Sequence, residues 1–188
     1  MIETDLPPHT DGPAKPEDTN DFDVVMEDHR WTQALLGVNS DGEILARACR
    51  LAVNDALIRE TGNGLAGTIC VLCTDDAAVR RLNARFRQQD KATNVLSFPG
   101  APQMGHLGDI ALAYETCARE AAARALPIGH HFAHLIVHGL LHLMGYDHIK
   151  MHDAARMETL EIAILQTLSI ANPYADSEPI GITDTSGE

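Results

Sequence analysis

Residues 129–144, GHHFAHLIVHGLLHLM, would be apolar on nearly every side if wound into a helix. A surface helix keeps a polar face, so a helix without one has to be enclosed by other elements. The run is shorter than the roughly 20 residues a bilayer span requires. The chain is therefore expected to wrap its remaining elements around this segment. Gly145 follows it directly and suits the position just past a helix end, where the backbone turns left-handed.

Seven of the ten histidines lie between residues 130 and 152. His138 and His142 are four apart, so their rings leave one face of the helix one turn apart. Gly145 lets the chain turn back, and His148 follows three residues later to supply a third nitrogen. Burying such rings without partners is costly. A divalent ion shared by His138, His142 and His148 removes that cost and leaves a position open, as in a catalytic rather than a structural site. Imidazole suits Zn, Cu, Fe and Ni, with Zn²⁺ the first expectation and no organic cofactor required. His134 stands one turn before His138 and is a candidate for proton transfer or for support behind the ligands.

The spacing HxxxHxxGxxH equals that of the metzincin proteases, whose second residue is a general-base Glu. Here it is Gly139, which can transfer no proton. A zinc metallopeptidase is thus the alternative rather than the leading reading.

Around the histidine helix the expected elements alternate. They are a strand at 22–26, a helix from a Ser40–Glu43 capping box to about Arg59, and a strand at 67–73. A helix capped by Thr74 or Asp75 carries Val79, Leu82 and Phe86 on one face. Next come a strand at 93–98, a turn or loop at 99–105, a strand at 106–114, an alanine-rich helix at 115–125 and a last helix from about 152 to 168. This predicts an α+β single domain over 21–170: a small mixed sheet of about four strands packed by about five helices. The polar segments 1–20 and 171–188 are expected to be disordered tails.

The formal net charge of −13 argues against generic nucleic-acid binding through bulk charge. Five of the 14 Lys and Arg residues nevertheless fall between 80 and 91: Arg80, Arg81, Arg85, Arg87 and Lys91. Cys70 and Cys73 form a CxxC, but on a strand they point to opposite faces. With Cys49 and Cys117 they read as small core residues of a reducing compartment. The start, MIETDLPPHT, has neither the basic nor the apolar region of a secretory signal. A cytoplasmic protein that does not enter membranes is the expectation.

VHGLLHLMGYDH (137–148) and LNARFRQQDKATNVLSFPG (82–100) together resemble the signatures of the YbeY family of endoribonucleases. GDIAL (108–112) resembles that family's following strand, and Met157, Glu158 and the apolar run after them its last helix. The likeness spans roughly residues 69–168. It implies a metal-dependent, single-strand-specific endoribonuclease that acts in small-subunit ribosomal RNA maturation and ribosome quality control, with ribosomal RNA or the small subunit as partner. A non-catalytic metal-containing assembly factor is the second alternative. The family's metal ligands fall on His138, His142 and His148, and its arginine falls on Arg87. Phe86 stands where the family commonly has Tyr, and Asn94 where it has Asp. With an RNA substrate, Arg87 becomes a catalytic candidate that clamps phosphate oxygens. Arg85 and Lys91 become weaker substrate-binding candidates.

Overall fold

A computed structural model of the chain describes residues 22–36 and 42–175. The expected tail at 1–20, the capping residue Ser40 and positions 176–188 lie outside the described residues. The elements are β1 (Phe22–Met26), α1 (His29–Leu35), α2 (Gly42–Thr61), β2 (Thr68–Thr74), α3 (Asp76–Arg87), β3 (Val95–Ala101), β4 (His106–Ala113), α4 (Tyr114–Ala123), α5 (Ile128–Leu143) and α6 (Met151–Thr167). The four strands form one mixed sheet in the order β1-β2-β4-β3. β1, β2 and β4 run parallel, and β3 returns antiparallel along β4 with Ser97 opposite Ile110. The α+β class with a small mixed sheet is as expected.

α5 occupies the centre that its composition demands. It packs against α2, α4, α6, β3 and β4. Phe132, Ile136, Leu140 and Leu141 are completely buried, and each such side chain contributes about 1.5–3 kcal/mol of hydrophobic stabilisation. The two faces of the sheet are covered differently. Leu96, Ala111 and Ala113 cluster with Val79 of α3, while Ile110 and Ser97 meet α5. Because β3 is an edge strand, the end of α3 sits beside a free edge of the sheet. Asp75 caps α3 by accepting from the Ala78 N–H at 2.7 Å. The first turns of α3 and α4 are cross-tied. Glu115 accepts from the Asp76 N–H at 2.9 Å, and Asp76 accepts from the Thr116 N–H at 3.0 Å.

Three local expectations require correction. α1 is an additional helix, making six among the described residues. Its sequence HRWTQAL is too short to show a helical period. It is fixed by its Asp28 cap and by Trp31, which is fully buried and donates from Nε1 to the Thr74 carbonyl at 3.0 Å. Residues 99–105 are a turn only in their second half: β3 continues through Pro99 and Gly100 to Ala101, and a 3-10 turn covers Pro102–Met104. Proline is tolerated there because β3 is an edge. Tyr174, within the segment expected to be a polar tail, packs its hydroxyl against Glu161.

Candidate metal centre

α5 ends in a Schellman motif. The Gly145 N–H reaches the His142 carbonyl at 3.0 Å and the Tyr146 N–H reaches the Leu141 carbonyl at 3.1 Å, with Gly145 at φ 86°. The turn is anchored from outside. The Tyr146 hydroxyl donates to Glu60 of α2 at 3.0 Å, and Arg156 of α6 donates to the same carboxylate at 2.6 Å. This geometry brings His148 back over α5. The ring centroids of His138, His142 and His148 lie 4.5, 5.4 and 5.0 Å apart, and one nitrogen from each falls within 4.8 Å of the other two.

The outer ring nitrogens of two of these residues are committed. His142 Nδ1 lies 2.9 Å from the Tyr146 carbonyl, which can only accept, so Nδ1 carries the proton. His138 Nδ1 lies 2.8 Å from Oε1 of Glu161. In neutral rings both Nε2 atoms are then bare lone pairs, and they face each other at 3.0 Å. Two lone pairs at that distance repel unless a cation lies between them. The separation is close to the roughly 3.3 Å expected between nitrogen ligands of one tetrahedral zinc ion. Burial, reinforced by the neighbouring His138 and His148, lowers the His142 pKa and so favours the neutral, ligating form. The donor set fits a divalent ion of the zinc type.

Glu161 is the residue that reading the sequence missed. It is completely buried and accepts from His138 Nδ1, from His134 Nε2 at 3.2 Å and from the Tyr174 hydroxyl. Burial alone would raise its pKa, but hydrogen bonds from His134 and His138 outweigh that and hold the carboxyl at about 2. A signal was present. Met157, Glu161, Ile164 and Leu165 share one helical face, so a carboxylate sits on the core stripe of α6. Such a charge requires partners. His134 is brought to this network, behind His138. It does not line the cleft in front of the three imidazoles.

That cleft has a volume of about 610 Å³, and its lining includes Arg87, Asn94, Ser97, His138, His142 and His148. Arg87 is the last residue of α3. It reaches the sheet edge, where one NH2 group donates to the Ser97 carbonyl at 2.9 Å. Arg85 and Lys91 are exposed and are not among the lining residues. Arg85 lies over the Phe86 ring at 5.1 Å, and Lys91 borders a separate groove with Arg80 and Arg81. Gly139, at the protease glutamate position, faces the sheet instead of the cleft. A β-carbon there would come within 2.9 Å of Ile110 Cδ1 and 3.1 Å of Ser97 Oγ.

The α+β domain, with its central helix and the turn after it, gathers three imidazoles that could hold a divalent ion, on a cleft that an arginine also lines. The chain belongs to the Endoribonuclease YbeY family, whose model matches residues 39–169. It is 49% identical over 139 residues to the Endoribonuclease YbeY of Chelativorans sp. (strain BNC1), covering 71% of this chain and 85% of the relative. It is 44% identical over 167 residues to that of Rhodopseudomonas palustris, covering 84% and 83%. A solution structure from Thermotoga maritima aligns with a TM-score of 0.49 at 22% identity, over 76% of this chain and 95% of that one.

Proposed function

We propose that this chain is a single-strand-specific, metal-dependent endoribonuclease that hydrolyses RNA phosphodiester bonds during small-subunit ribosomal RNA maturation and ribosome quality control in the cytoplasm. The observation that carries the reading is the convergence of His138, His142 and His148 on one point of a cleft that Arg87 also lines. That the relatives are endoribonucleases by name supports RNA as the substrate. His138, His142 and His148 would hold the ion, which when bound supplies Lewis-acid charge and lowers the pKa of a bound water toward neutrality.

The rest of the chemistry falls to the protein. Arg87 keeps donors beyond the one spent on Ser97, and a guanidinium can meet two phosphoryl oxygens as charge builds on them. Glu161 and the Tyr146 carbonyl orient His138 and His142 from behind. Gly139 accepts no proton, so this helix lacks the general base of a peptidase. Arg85 and Lys91 attract the RNA backbone from outside the cleft, while the acidic remainder of the chain disfavours indiscriminate binding.

The test uses the purified full chain, its metal content measured by elemental analysis, on single-stranded and duplex RNA with and without chelator. Internal cleavage of single strands that chelator abolishes and Zn²⁺ restores is the expected result. The end groups of the products distinguish attack by the RNA 2′-hydroxyl from attack by water. A metal-loaded chain that leaves RNA intact overturns the proposal.

A further inference from the structure

Glu161 has two carboxylate oxygens, and they do different work. Oε1 accepts from His138 Nδ1 at 2.8 Å. Oε2 is held by the Tyr174 hydroxyl and, at 3.2 Å, by His134 Nε2. His134 Nε2 is also 3.2 Å from the Tyr174 oxygen, so its single N–H is shared between two acceptors. Tyr174 comes from beyond α6, and its hydroxyl caps the carboxylate. Its ring lies 5.5 Å from that of His134, edge to face.

A carboxylate bound through one oxygen alone can rotate about its last bond. Fixing Oε2 leaves Oε1 aimed at His138. That in turn fixes the His138 tautomer with the proton on Nδ1 and the lone pair on Nε2, toward His142. We propose that Tyr174 is a positioning residue: through Glu161 it holds His138 in the tautomer and orientation that bind the metal. This inference rests on the metal role proposed above for His138. The other geometry available here, a second ion held by His134, His138 and Glu161, competes with it. It would require His134 and His138 to give up the N–H groups that now satisfy the carboxylate.

The experiment compares the full chain with Tyr174→Phe, Glu161→Gln and the double variant. Two readouts are used: Zn²⁺ affinity by competition with a chromophoric chelator, and the imidazole ¹⁵N shifts of His138 in metal-free protein. Tyr174→Phe is expected to weaken Zn²⁺ binding about tenfold, within the range seen when a partner behind a ligand is lost. It should also convert His138 from one tautomer to a mixture. The loss should vanish in the Glu161→Gln background, because the path through Glu161 is already cut. Parental affinity in Tyr174→Phe, or an equal loss in both backgrounds, makes Tyr174 a packing residue and overturns the proposal. Uptake of a second Zn²⁺ that Tyr174→Phe removes also overturns it, since Tyr174 would then be a ligand. If Glu161→Gln fails to fold, Tyr174→Phe and the tautomer shift decide alone. A parent chain that binds no Zn²⁺ sinks the metal reading, while the metal-free tautomer measurement still decides the role of Tyr174.

Discussion

Asp90 holds Arg80, not Arg87: Arg80 Nε donates to Oδ1 at 2.6 Å and NH2 to Oδ2 at 2.7 Å. The two arginines stand seven residues apart, two turns along one face of α3, and the loop after the helix closes back on the first of them. The guanidinium of Arg87 is left with the Ser97 carbonyl and, among the described residues, no carboxylate. A cation without an acidic partner beside three imidazoles is available to an anionic substrate.

Arg87→Ala should therefore lower RNA cleavage by about 10²–10³-fold, the usual loss when one charge-stabilising donor is removed. Metal content and melting temperature should stay near parental values. Arg87→Lys should recover little, because a point charge cannot make the bidentate contact. Arg80→Ala serves as the control, since it breaks only an exposed ion pair. Single-turnover cleavage rates decide, and parental rates in Arg87→Ala would remove the phosphate clamp from the mechanism.

Removing a ligand should remove the ion. His138→Ala and His142→Ala are each expected to bring the metal from about one ion per chain to near none under dialysis. The Zn²⁺-dependent rise in melting temperature should disappear with it, since a ligand stabilises only the state it binds. Full metal occupancy in the double variant would show that the ion sits elsewhere.

Gly139 is set by packing. The β-carbon of Gly139→Ala must displace Ile110 Cδ1 from 2.9 Å, at an overpacking cost of about 1–3 kcal/mol. Alanine's better helix propensity returns about 1 kcal/mol. Gly139→Glu should be far less stable and should show no casein hydrolysis, because its side chain would enter the helix–sheet contact. Thermal melts of both variants test this, and a Glu variant as stable as the parent would mean that the contact yields freely.

The cysteines should be inert in the folded protein. Burial pushes the thiols of Cys49 and Cys73 up to about 12 and raises that of Cys117 as well. Cys70, half-buried on β2, is raised less. Alkylation proceeds through the thiolate. Iodoacetamide at pH 8 should label Cys70 first and the other three only after unfolding, as read by mass spectrometry. Rapid native labelling of Cys73 would contradict the strand assignment of the CxxC.

The sequence by itself determined the parts that depend on local periodicity. An apolar helix carrying His138 and His142 one turn apart had to be central, and Gly145 had to end it so that His148 could return. Local apolar patterning and, for α3, the Asp75 cap gave β2, α3, β4 and α6 to within a few residues. What only the tertiary structure decided were pairings between distant segments, which no local period encodes. Asp90 could have met either arginine, and the closure of the 88–94 loop chose Arg80. Gly139 could have marked a missing base, and the approach of Ile110 shows a glycine required by close packing. Glu161 and Tyr174 stand 23 residues or more from His138 in the chain. Glu161 meets it only because α6 packs on α5, and Tyr174 reaches the carboxylate only because the segment beyond α6 folds back over it. There, out of water, a buried charge is stable only where the fold delivers its donors.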